Sequence, residues 1–379
     1  MSKVFLVSRC AWTLYNFRQG QMRAMCAQGF TVKGGGSGGD GFEEKVEALG
    51  VPFVSMPVDR RALNPIADLK LLFSLYCWYK SEKPQIVHHF TIKPVIYGSL
   101  AARLARVPRI VNTVTGLGYV FSEGSAGWLR KLVEWQYKAA LGAAHFTFFQ
   151  NEDDRQLFLD HKLTRPEKTG LLPGSGVDTT RFTPKSFSPE AKRDCDKPVR
   201  FVMVARMLKD KGVYEFVEAA KRVKAAGICA EFVLVGGRDE RNPRCVPLED
   251  LEKWSAEGII LWLGEVADVR VPVSDADVVV LPSFYREGTP RSLLEAAAMG
   301  KPIITTDNVG CREAVDHGVT GFLVSPRDAE ALAEAMKCLE QSPDLRDRMG
   351  RAGREKSVRE FDERIVIEKI LKIYREEKL

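Results

Sequence analysis

At 379 residues, with 45% apolar and 28% charged side chains, the chain has the composition of a soluble globular protein long enough for two ordinary domains. That composition excludes a disordered polyelectrolyte, and no apolar run approaches the ~20 residues needed to span a bilayer. The net charge of +6 is uneven: residues 1–170 hold 22 Lys and Arg against 14 Asp and Glu, which suggests either an anionic partner (phospholipid headgroups, a diphosphate-linked acceptor or nucleic acid) or simply a solvated basic surface.

Met1–Val7 reads as a short strand and not a secretory leader, because the apolar stretch ends at once in Ser8-Arg9. The following loop ends in Asn16-Phe17-Arg18 at a helix start, where Arg18 is either a phosphate partner or a plain surface cation. Gly34-Gly35-Gly36-Ser37-Gly38-Gly39 formally satisfies G-x-G-x-x-G, between a strand-like Phe30–Lys33 and a helical Glu43–Leu49. A dinucleotide fingerprint belongs after the first strand of its domain, and here it follows the second, so a mobile or engineered loop is the expectation.

Strand-like runs at Phe53–Met56, Ile86–His88, Ile110–Thr113 and Phe146–Phe149 alternate with helical patterns at Pro65–Lys80, Tyr97–Ala105 and Trp128–Leu141, as βαβ units do. His88-His89 end the strand opened by Ile86-Val87, where a histidine either satisfies the structure or touches a ligand. Within the third helix, Trp128, Arg130, Lys131, Trp135, Tyr137 and Lys138 form either an ordinary half-buried face or a patch that lies on headgroups. Eight cysteines without a CxxC pair suggest neither zinc nor disulfides, and so a cytoplasmic protein.

Leu171–Asp178 is a strand end running into a Gly/Pro linker, and Thr183–Pro198 is rich in proline and charge, so the domain boundary falls near 173–198. The second half repeats the alternation, with strands expected at Phe201–Val204, Ala230–Val235, Ile259–Leu263, Val278–Leu281, Pro302–Thr305 and Phe322–Val324. It ends in an amphipathic helix, Ile365–Tyr374.

The most informative stretch is Ser283–Glu295. A strand, Ala276–Pro282, runs into a loop containing Glu287-Gly288-Thr289-Pro290 and then a helix with Leu293, Leu294 and Ala297 on its apolar face. Thr289 is the expected N-cap and Pro290 the first helical residue, with Gly300 closing the helix. Such a helix start at a sheet edge offers free amides and a dipole to phosphate. Glu287 precedes the cap and Glu295 lies inside the helix, so they suit different parts of one elongated ligand. Arg206 and Lys211, at the end of the strand opening the second half, suit a diphosphate as two fixed cations.

Glu287 and Glu295 with seven residues between them resemble the signature of family 4 glycosyltransferases. So do Val204–Gly212, Gly300–Asp307, Glu313-Ala314-Val315 and Gly318–Val324. These are retaining, nucleotide-sugar-dependent enzymes of the GT-B fold, two Rossmann-like domains facing across a cleft. The last helix of such enzymes crosses back to the first domain. The resemblance therefore implies an acceptor-binding domain of residues 1–172 with 363–379, and a donor-binding domain of residues 173–362.

It further implies that Arg206 and Lys211 neutralise the leaving diphosphate, with the backbone near Gly288, Thr289 and Pro290. Glu295 would hold the ribose hydroxyls and Glu287 the transferred sugar, with Gly236 and Val266 flanking the base. In the acceptor domain the family's TxHG-like turn matches Asn112–Gly118, with Thr115 where the histidine would stand. That departure leaves His88 and Thr115 as catalytic candidates, and Arg18, His89, Lys93 and Gly116 as acceptor-binding ones. The stretch Val87–Ser99 through Gly116–Phe121 is similar to a bacterial branch building capsule, O-antigen and protein-linked glycans on undecaprenyl diphosphate. The implied activity is transfer of a hexose or N-acetylhexosamine from a UDP-sugar to a polyprenyl-diphosphate-linked sugar. No metal or other cofactor and no nucleic acid is expected, with peripheral contact at the inner face of the plasma membrane. A GDP-mannose-dependent enzyme and a non-catalytic sugar-nucleotide-binding partner are the alternatives.

Overall fold

Val4, Phe5, Leu6 and Val7 are all fully buried, which requires layers on both faces of the strand that carries them. The computed structural model describes residues 2–59, 64–117, 121, 127–185, 197–240 and 242–375. Part of the expected linker (186–196) and part of the stretch after Leu117 (118–120 and 122–126) lie outside these. The chain divides into one unit of Met1–Gly176 with Glu363–Leu379, and a second of Val177–Asp362.

The first unit is built on β1 (Lys3–Cys10), β2 (Thr31–Ser37), β3 (Phe53–Ser55), β4 (Ile86–Phe90), β5 (Arg109–Val114), β6 (Phe146–Phe149) and β7 (Thr169–Leu171). All pairings are parallel, in the order β3-β2-β1-β4-β5-β6-β7. The C-terminal helix Glu363–Arg375 belongs to this unit: Val366, Ile370, Leu371 and Tyr374 share a core with Val4, Leu6 and Met22.

Most of the glycine run, Gly34–Ser37, is strand and not loop. β2 continues through Gly36, and a Cβ at Gly35 would lie 2.8 Å from Cζ3 of Trp78. Trp78 in turn stacks on Phe5 with ring centroids 4.3 Å apart. A Cβ at Gly36 would meet the Ser8 carbonyl at 2.8 Å. Gly35 is kept small by a tryptophan lying across the strand and Gly36 by the Ser8 backbone, so Gly34–Ser37 are sheet, and Gly38 and Gly39 lie in the loop that follows.

The second unit holds β8 (Val199–Val204), β9 (Ala230–Val235), β10 (Leu261–Trp262), β11 (Val278–Leu281), β12 (Ile303–Thr306) and β13 (Gly321–Val324). They run parallel in the order β10-β9-β8-β11-β12-β13. β10 is shorter than the apolar run Ile259–Leu263 suggests, because the amides of Ile259 and Ile260 turn back to the Trp254 carbonyl and close the preceding helix. In each unit the chain order reverses once, between β1 and β4 and between β8 and β11. A crevice at the carboxyl ends of those strand pairs is where such sheets bind ligands.

Candidate active site

The second reversal point gathers most of the residues singled out in the sequence. After β8 the chain makes a tight turn, Lys209–Lys211, and after β11 it enters the loop 282–290. The two are stitched together. The Asp210 carbonyl accepts the amides of Phe284 and Tyr285 at 3.0 and 3.1 Å, and the Ser283 hydroxyl at 3.2 Å. Across this seam Lys211 Nζ donates to Glu287 Oε1, and Ser283 Oγ stands 3.1 Å from the same oxygen. From the β12 side, Thr306 Oγ1 donates to the Ser283 carbonyl and Asn308 Nδ2 to that of Tyr285 at 3.0 Å. Gly310, at φ +86°, lets the Gly288 carbonyl come where a Cβ would stand 2.0 Å away. Asn308 and Gly310 went unnoticed in the sequence, although Asn-x-Gly after a strand is a turn signal.

The helix begins one residue later than expected, at Arg291, and runs to Ala298. Pro290 is its N-cap: its ψ of 122° is extended, and its carbonyl accepts the amide of Leu293 at 3.1 Å. Thr289 is therefore outside the helix and is buried in the turn. No side chain caps this end, so the first amides of the helix have no acceptor within it and keep their affinity for an anion. Inside the helix Arg291 Nε donates to Glu295 Oε1 at 2.8 Å, both side chains being 13% exposed. Burial pushes the Glu295 carboxyl up, and the Arg291 guanidinium draws it part of the way back.

Arg206 Nη1 lies 3.0 Å from Asp239 Oδ2, so one anchor holds it at the edge. Gly236 has a steric role: its amide donates to the Gly264 carbonyl at 2.7 Å and its carbonyl accepts from Trp262 Nε1 at 3.0 Å. Val266 follows in the next loop and packs on the core of the unit.

The first-unit candidates are less open to a ligand than the sequence suggests. His88 is fully buried, with Nδ1 2.7 Å from the Tyr374 hydroxyl and Nε2 2.7 Å from Thr113 Oγ1. His89 is also fully buried, between the Tyr79 hydroxyl and Asn112 Oδ1, each at 3.0 Å. Both pair in register with β1, Leu6 beside His88 and Val7 beside His89. They lie within the sheet, not beyond its end, and with both ring nitrogens engaged neither reaches a ligand here. Arg18 is not a surface cation: it is buried, with its guanidinium 4.3 Å above the Phe90 ring. Lys93 Nζ is 2.8 Å from Asp68 Oδ1, an ion pair that already compensates its charge. Thr115 and Gly116 follow β5 directly and are half-buried, Gly116 at φ +112°.

Burial holds both imidazoles neutral, pushing His89 down to about 4 and His88 well below its ordinary value, the latter helped by nearby Arg18. The unfolded chain takes up protons near pH 6.5 that the native state refuses. Stability is thus intact above pH 6.5 and lost as pH falls toward 4, by about 3 kcal/mol from His89 alone. Urea unfolding from pH 7 to pH 4.5 should show this slope, and a shallower one in His89→Gln. Identical slopes would contradict the assignment.

Two family models match: "Glycosyl transferase 4-like" over residues 3–146 and "Glycosyl transferases group 1" over residues 198–342. A Campylobacter jejuni protein named N,N'-diacetylbacillosaminyl-diphospho-undecaprenol alpha-1,3-N-acetylgalactosaminyltransferase is 32% identical over 343 residues, 88% of each chain. The chain belongs to the family 4 glycosyltransferases. An Escherichia coli relative, UDP-Gal:alpha-D-GlcNAc-diphosphoundecaprenol alpha-1,3-galactosyltransferase, is 30% identical over 308 residues, 78% of this chain and 76% of that one. The solved glycosyltransferase from Rickettsia africae matches with a TM-score of 0.77 at 21% identity, covering 99% of this chain and 98% of that one. The fold is GT-B, and this glycosyltransferase is a hexosyltransferase.

Proposed function

We propose that this glycosyltransferase moves a hexose or N-acetylhexosamine, with retention of configuration, from a UDP-sugar to a polyprenyl-diphosphate-linked sugar at the cytoplasmic surface of a membrane. The observation that carries this reading is the Lys211–Glu287 pair, held between the ends of β8 and β11 beside an uncapped helix start. The names of the Campylobacter and Escherichia coli relatives support the acceptor class, and the latter supports the UDP donor.

In this reading Lys211, Arg206 and the first amides of the helix Arg291–Ala298 face the diphosphate, where negative charge grows as the sugar leaves. Glu295 accepts the ribose hydroxyls and Glu287 holds the sugar. The bond from the anomeric carbon to the diphosphate oxygen breaks, and the acceptor hydroxyl bonds to that carbon on the same face. Its proton passes to the departing phosphate oxygen. No divalent ion is required, because two cationic side chains and a helix dipole supply the positive charge.

The test is nucleotide release from UDP-galactose, UDP-N-acetylgalactosamine, UDP-N-acetylglucosamine and GDP-mannose, with and without a short-chain polyprenyl diphosphate glycan, in the presence of EDTA. Acceptor-dependent release of UDP is expected. Release from GDP-mannose alone among the donors would replace the donor assignment. Donor binding without release in any combination would overturn the proposed acceptor class.

A further inference from the structure

Two helices of the first unit leave apolar edges uncovered. On Pro65–Glu82 the buried positions Asp68, Leu71, Leu75, Trp78 and Tyr79 face the sheet. On its other side Ile66, Leu69 and Phe73 keep 72, 67 and 64% of their surface exposed. They recur at the spacing of one helix face. On Gly127–Ala143 the outer face carries Trp128, Leu132 and Trp135 at 63, 38 and 68% exposure. The two helices flank the segment Pro94–Leu104 on one side of the sheet, and its Tyr97 links them: the hydroxyl donates to Asp68 Oδ2 at 3.1 Å and accepts from Gln136 Nε2 at 3.4 Å.

Both helices follow strands, β3 and β5, so both start at the carboxyl edge of the sheet, the edge at which Thr115 and Gly116 also lie. Charge identifies what covers them. The exposed positions of the two helices carry Lys70, Lys80, Lys131 and Lys138 and no carboxylate. The acids on these helices are inward or paired, Asp68 with Lys93, Glu134 with Arg130, and Glu82 with Lys33. Six large apolar side chains, two of them tryptophan, ringed by lysines whose stems can snorkel, match the acyl–headgroup boundary of an anionic bilayer. No described helix is long and apolar enough to cross a membrane.

We infer that these two helices form one docking face that sinks into an anionic phospholipid surface and brings the carboxyl edge of the first sheet to the membrane. The inference rests on the reading above for the lipid-linked acceptor, which would then reach that edge without leaving the bilayer.

The experiment is co-sedimentation of the full chain with vesicles of phosphatidylcholine alone or with phosphatidylglycerol added. Three sets of substitutions are compared: Ile66→Ser with Leu69→Ser and Phe73→Ser, Trp128→Ser with Trp135→Ser, and Lys131→Gln with Lys138→Gln. The wild type should partition onto the anionic vesicles. Each apolar set should lower the partition at least ~10-fold, and the lysine pair roughly fivefold per charge, an effect that salt abolishes. Transfer to a soluble short-chain acceptor should persist in every variant. If the wild type lacks that activity, the functional reading fails while vesicle binding is still decided. Equal partition of wild type and variants overturns the docking face. So does a wild-type dimer, seen by light scattering, that the apolar substitutions dissolve.

Discussion

Replacing Lys211 by methionine is expected to lower turnover by about 10²–10³-fold, the range found when one preorganised donor to a developing charge is removed. Lys211 Nζ and Glu287 Oε1 form an ion pair whose side chains are only 15 and 13% exposed, so each partner is also the other's desolvation cover. The single substitution removes the cation from a largely buried carboxylate and should destabilise the second unit by about 2–4 kcal/mol, at the lower side of the buried-pair range because Ser283 Oγ still faces that carboxylate and some solvent remains. Glu287→Gln strands the ammonium and should cost a similar amount. The double variant removes both charges and should recover most of the stability, because neither is left uncompensated. It should recover none of the turnover, since the diphosphate then meets no lysine and the sugar no carboxylate. Thermal melts and steady-state rates on the four proteins separate these roles. A double variant as active as wild type would show the pair to be purely structural.

Gly236→Ala is expected to be the most damaging single-methyl addition in the second unit. Gly236 sits at φ +142°, and a Cβ there would stand 1.8 Å from the Ala205 carbonyl oxygen. Both objections are backbone ones, so no side-chain rotation relieves them. The cost should exceed about 4 kcal/mol, the range of specific backbone strain, and for a unit of this size should lower Tm by roughly 10 °C. Because Ala205 adjoins Arg206, donor affinity should fall as well. Gly237→Ala is the control: its Cβ would meet Glu265 Oε2 at 3.3 Å, the end of a flexible side chain, and should change Tm little. Equal melting of both variants would contradict the role given to Gly236.

The parts of the fold legible in the sequence are the local ones. Strand, loop, proline and apolar helix face lie consecutively between Val278 and Ala298, so the elements of the candidate site could be read without knowing what packs on them. The helix start differed by one residue because Pro290 fits a cap or a first turn, and only its ψ decides. Gly35 misled because the reason for it, Trp78, lies more than 40 residues further along the chain. His88 misled for the same cause at longer range: its partner Tyr374 is 286 residues away, and no local pattern distinguishes a satisfied strand histidine from an exposed one. The Lys93–Asp68 pair was equally invisible, since Asp68 lies in no motif and on a different element from Lys93. The outward edge of Pro65–Glu82 also escaped notice, because that helix is apolar on both faces and periodicity alone cannot say which is covered.

The turn after β8 and the helix start after β11 are expected to grip a nucleotide diphosphate together. A crystal of the protein soaked with UDP tests it most directly. The two phosphates should lie between Lys211, Arg206 and the amides at the start of Arg291–Ala298, with the ribose hydroxyls on Glu295. Nucleotide density elsewhere, with the Lys211–Glu287 pair undisturbed and the helix start bare, would contradict it.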